Sequence, residues 1–112
     1  LSVEFDFDKH PKILESLHNT VRKHVPVDQL QYCEKAWKDG DVQILLNSIT
    51  WTPRTLRPVQ DFLDEINIVL APIIKECDGW GGDFGLCQTK PPFAVADFVW
   101  SDIGFSIRGV KL

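Results

Sequence analysis

The chain opens on a strict alternation of apolar and charged positions. Val3, Phe5 and Phe7 are apolar and Glu4 and Asp6 between them are acidic, the two-residue period of a half-buried strand. Asp8 can then cap a helix, and Pro11 suits a first turn, where a missing N–H has no partner to lose. From there the period lengthens to that of a helix. Ile13, Leu14, Leu17, Val21 and Val25 form one apolar stripe, and Pro26 ends it. A longer stripe follows Thr55, with Pro58 in its opening turn, through Leu56, Val59, Leu63, Ile66, Leu70 and Ile73. It predicts a core-facing helix of about 18 residues, kinked near its end by Pro72.

Between the two stripes the pattern is ambiguous. Residues 28–38 fit either a short helix or a strand, and Lys38-Asp39-Gly40-Asp41 offers an Asp-Gly hairpin turn into an apolar strand from Val42 to Trp51. The second stripe leads directly into KECDGWGGDFG, residues 75–85. Here Asp78-Gly79 is expected to close the helix, with glycine in the left-handed cap conformation. Gly81 and Gly82 then turn the chain into a strand from Asp83 to Cys87. Lys90-Pro91-Pro92 is a stiff break, and Phe93 to Ile107 reads as a strand or a bent pair of strands. The resulting order is strand, helix, strand, strand, helix, strand, with an added C-terminal strand. Two helices on one face of an antiparallel sheet, an α+β ferredoxin-like sandwich forming a single domain over residues 1–112, is its natural packing.

Composition narrows what such a domain does. Apolar residues make up 44% and charged residues 25%, ordinary for a globular protein. A net charge of −4 argues against a general nucleic-acid binder, which should show a basic face. No apolar run reaches the roughly 18 residues that a membrane span needs. Acids outnumber bases over residues 41–78 and balance them over 79–112. An acidic surface of this kind suits a basic protein partner. Cys33, Cys77 and Cys87 are odd in number and widely spaced, which favours free thiols in a reducing, cytoplasmic setting, with a Cys77–Cys87 bridge as the minor alternative.

Catalytic chemistry is sought and not found. His10, His18 and His24 lie on or beside the first helix without the four-residue spacing that sets two imidazoles on one face, so they are expected to face solvent. No serine or cysteine stands in a nucleophile elbow. The glycine-rich stretch lacks the lysine and hydroxyl that end a P-loop, and it leaves a helix instead of opening one. It has too few alternating acids for a calcium loop. Neither cofactor nor metal is expected, and the chain reads as non-catalytic. Trp80 in that stretch either packs over the helix end or stands exposed as an anchor for a partner, since tryptophan dominates many binding interfaces.

Taken together these segments resemble the regulator of ribonuclease E activity B family of small bacterial inhibitor proteins. The shared order is VEFDFDKHPKILESLHNTV, then Asp39-Gly40-Asp41 leading into VQILLNSI, then an amphipathic helix ending in Asp78-Gly79-Trp80-Gly81 before Phe84. Cys77 stands where that family has a tyrosine, and the resemblance covers residues 3–86. It implies a ferredoxin-like protein that binds a ribonuclease and lowers its activity. The charge-balanced C-terminal segment, in place of that family's acidic tail, also admits a nuclease toxin as target, which would make this an immunity protein. The expected contact patch is Asp78, Trp80, Asp83 and Phe84 with Asp39 and Asp41, on a monomer or weak dimer. The alternative is a small enzyme or ligand-binding domain, with a pocket between helices and sheet and Cys33, Cys77 or a histidine as its working group.

Overall fold

The computed structural model describes residues 1–25, 41–43, 56–86 and 94–111. Within them the protein is α+β, with two α-helices and two three-stranded antiparallel sheets. Strand β1 (Ser2–Glu4) leads into helix α1 (Pro11–His24), and β2 (Asp41–Gln43) precedes helix α2 (Leu56–Leu70). A 3-10 segment (Ala71–Glu76) then delivers the chain to β3 (Asp78–Trp80) and β4 (Gly82–Leu86). The hairpin β5 (Ala94–Ser101) and β6 (Gly104–Lys111) completes the described residues. One sheet has the order β2-β1-β3 and the other β4-β5-β6. Residues 28–38 and the Asp39-Gly40 turn lie outside the described residues.

Both stripes form the core. Leu17, Val21 and Val25 of the first are buried against Val59, Leu63, Ile66 and Leu70 of the second, with Phe62 beside them. Ile13 and Leu14 are half-buried and close the cluster at its edge. Val25 leaves α1 in extended backbone (φ −90°, ψ 131°), as the residue before a proline should. Pro72 acts as its chemistry requires. It cannot donate to the carbonyl four residues back, so α2 stops at Leu70 and tightens into the 3-10 segment, where Ile73 is bent out of helical geometry (φ −123°, ψ 15°).

Three expectations are corrected. Asp8 does not cap α1. Asp6 does the organising, its Oδ1 accepting from the Asp8 N–H at 3.1 Å and the Lys9 N–H at 3.2 Å, while His10 takes the cap position without a side-chain bond. Gly79 is not a left-handed helix cap, because the 3-10 segment has already ended and Asp78–Trp80 pairs with β1 as a strand. Gly104 alone among the described residues has a positive φ, 106°. Finally, the C-terminal part takes the paired alternative, a hairpin of two eight-residue strands turning at Asp102-Ile103, where the expected element order had one added strand. Asn67 of α2 locks this hairpin down. Its Nδ2 donates to the Phe105 carbonyl and its Oδ1 accepts from the Phe105 N–H, both at 2.8 Å.

The histidines are also not simply solvent-facing. Each end of α1 carries a Lys-His pair that closes on one glutamate. Lys23 Nζ and His24 Nε2 lie 2.8 and 3.0 Å from Glu65 of α2. Lys9 Nζ and His10 Nε2 lie 3.5 and 3.2 Å from Glu76. Both rings are mostly covered, His24 beside Phe62 and His10 beside Phe5. One glutamate within α2 and another at the end of the 3-10 segment lie against these imidazoles, which spacing along α1 could not reveal.

Candidate functional site

The site begins with how β3 and β4 are joined. Gly79 pairs with Val3, which is fully buried, and Gly82 pairs with Phe98, which is also buried. The alternation runs on through the junction: Trp80 and Gly82 are exposed, while Gly79 and Gly81 face their neighbours. Gly81 stands between the two strands, and a Cβ there would overlap the Phe98 carbonyl. A Cβ on Gly79 would overlap the Trp100 indole. Glycine at both positions lets the chain approach β5 closely. Trp80 lies between them, paired with Ser2 on the outward side of β3, and is 51% exposed.

Acidic residues meet in the register of the β2-β1-β3 sheet. Glu4 stands in the middle strand, with Asp41 at the paired position on one side and Asp78 on the other. Glu4 and Asp78 are both exposed. The next row holds Ser2, paired with Gln43 and with Trp80. Like charges directly opposite in a sheet are destabilising, so nothing in the fold itself asks for this row. What it produces is a negative field beside an exposed indole.

Of the six residues expected in the patch, Asp78 and Trp80 lie together on β3, and Asp41 joins them through the register with β1. Asp83 and Phe84 belong to β4, on the second sheet, where they pair with Asp97 and Ala96. Asp39 lies outside the described residues. The sequence reading missed Glu4. Its place in an alternating strand marks it as outward-facing, but only the register puts it between Asp41 and Asp78.

Beside Asp78 is an open depression of about 490 Å³. Ile74, Lys75 and Cys77 form one side, and Asp78, Trp100 and Asp102 the other. Trp100 is half-buried and meets Phe105 edge-on, ring centroids 4.8 Å apart. Cys77 is a buried free thiol whose Sγ donates to the Ile73 carbonyl at 3.3 Å. Burial, with the charges of Glu76 and Asp78 behind it, pushes this thiol up to about 11. At neutral pH it is neither a nucleophile nor a ready metal ligand. Among the described residues no group of three or more His, Cys, Asp or Glu side chains is arranged to hold a metal ion. No helix among them is long and apolar enough to cross a membrane.

Compared with protein families, curated proteins and solved structures, the chain matches none.

Proposed function

We propose that this is a non-catalytic acidic protein that binds a basic protein partner, a nuclease, and inhibits it. The target is either the cell's own ribonuclease or a nuclease toxin. The observation that carries the reading is the exposed Trp80 beside the Glu4–Asp78 pair on a sheet face. An anchor of large area flanked by unneutralised acids is what a nuclease's nucleic-acid-binding surface would complement, and the acidic field would speed the encounter. The ferredoxin-like arrangement belongs to the same proposal. It is supported by β1 lying between the strands that precede and follow α2, antiparallel to both.

The competing reading, a small enzyme or ligand-binding domain, needs a working group. Cys77 is held protonated, and His10 and His24 are engaged with glutamates. The test is affinity capture from a lysate of the source cell with the wild type and with Trp80→Ala. It is followed by a nuclease assay on whatever is retained. A nuclease bound and inhibited by the wild type but not by the variant is the expected result. Retention of a small molecule and no nuclease would overturn the reading.

A further inference from the structure

We propose that the depression beside Asp78 is a socket for an arginine side chain of the partner, gripped between the Trp100 ring and the carboxylates of Asp78 and Asp102. This rests on the binding reading above and adds to it the chemistry of the anchor on the other side. It also assigns work to Trp100 and Asp102, which stand outside the expected patch.

The walls select the occupant. A guanidinium is planar, stacks on an indole face and offers a fork of N–H donors to carboxylates. Trp100 packs against Phe105 and Gly79 and is also part of the lining of the depression. Asp78 enters from the start of β3 and Asp102 from the turn between β5 and β6, so acids from two separate elements meet one opening. Both are exposed. The floor is fixed: Asn67 holds the strand after the turn, and the Ser101 hydroxyl accepts from the Ile103 N–H at 3.4 Å. Lys75 at the rim disfavours a second cation, which fits one inserted side chain better than a run of basic residues. A carboxylate ligand would face two acids and one lysine, and a purely apolar one would leave both acids beside it without a partner. Asp78 also belongs to the acidic row with Glu4, so an arginine in the socket places the rest of its chain toward Trp80.

The experiment is an NMR titration of the full chain with three blocked tripeptides, Gly-Arg-Gly, Gly-Lys-Gly and Gly-citrulline-Gly. Citrulline keeps the shape of arginine without its charge. The expected result is a saturable shift of the Trp100 indole N–H and of backbone amides at 75–78 and 100–102 with the arginine peptide. The lysine peptide should bind more weakly and the citrulline peptide not at all. Asp102→Asn should weaken the arginine peptide about tenfold, as loss of a charge-assisted bond does. Equal shifts with citrulline, or shifts spread over the whole acidic surface, would overturn the socket. Nuclease capture undiminished by Asp102→Asn would overturn it too while leaving the binding function standing. Peptide binding without any nuclease partner would leave the socket and remove that function.

Discussion

The paired helices and the strand entry at residues 77–82 both bury apolar surface, under opposite rules. Along α2 the requirement is for side chains. Val59, Leu63, Ile66 and Leu70 are fully buried because their period matches the helix, and each fills volume that another aliphatic group of similar size could fill. At 77–82 the requirement is for their absence. Gly79 and Gly81 lie where a single methyl group would strike the Trp100 ring and the Phe98 carbonyl. A helix face is specified by a pattern and a strand junction by individual neighbours. The first should tolerate chemical variety and the second almost none.

The largest effect expected tests the helical side. Leu63→Ala should cost about 3 kcal/mol through lost burial and the cavity left behind, whereas Leu63→Met should cost under about 1.5 kcal/mol. Urea midpoints with an unchanged slope would read both. If the methionine variant were as damaged as the alanine one, α2 would be as exacting as the junction and the contrast would fail.

The junction comes next. Gly81→Ala should cost about 2–3 kcal/mol, because the obstacle is backbone of β5 and can yield only by moving the strand. Gly82→Ala should stay within about 0.5 kcal/mol, since a Cβ there meets nothing within 4 Å. Adjacent glycines with such different costs would show that individual neighbours specify the junction. Equal costs would remove that distinction. Asn67→Ala belongs between these. It strips the buried Phe105 backbone of both partners and should cost about 1–2 kcal/mol, measurable as faster amide exchange at Phe105.

This division also governs what could be read from the chain beforehand. Both helices, their proline-marked ends and the core stripe follow from local spacing and were legible. The roles of Gly79 and Gly81 were not, because Trp100 and Phe98 come much later in the chain and nothing near the glycines announces them. The same holds for Asp6 and Asp8, adjacent candidates separated only by the turn geometry at His10. Of the site, Trp80 and Asp78 stood out by type. Glu4, Trp100 and Asp102 became visible only when pairing brought β1 and the β5–β6 turn beside β3. Asp83 and Phe84 looked continuous with Trp80, yet β3 pairs with β1 and β4 with β5, so they belong to the second sheet.

The smallest effect concerns the charges that tie α1 to its neighbours, and its sign can be worked out. The bond from Lys23 first, and that from His24 second, hold Glu65 below its ordinary value of 4.5, against the opposing effect of desolvation. A carboxyl depressed in the folded state takes up its proton more readily when unfolded. Its stabilisation is therefore present above the unfolded value and fades as pH falls through the folded one. Wild type should melt above Glu65→Gln at neutral pH, and the gap should close below about pH 4.5 as Glu65 itself becomes neutral. Glu76→Gln should show a narrower gap at neutral pH, because its contacts of 3.5 and 3.2 Å are longer than the 2.8 and 3.0 Å at Glu65. Thermal melts of the three proteins across that range decide it. A Glu65 gap that did not narrow at all as the pH fell below its ordinary value of 4.5 would mean that packing, not charge, joins the helices there. The helical side would then rest on apolar contacts alone.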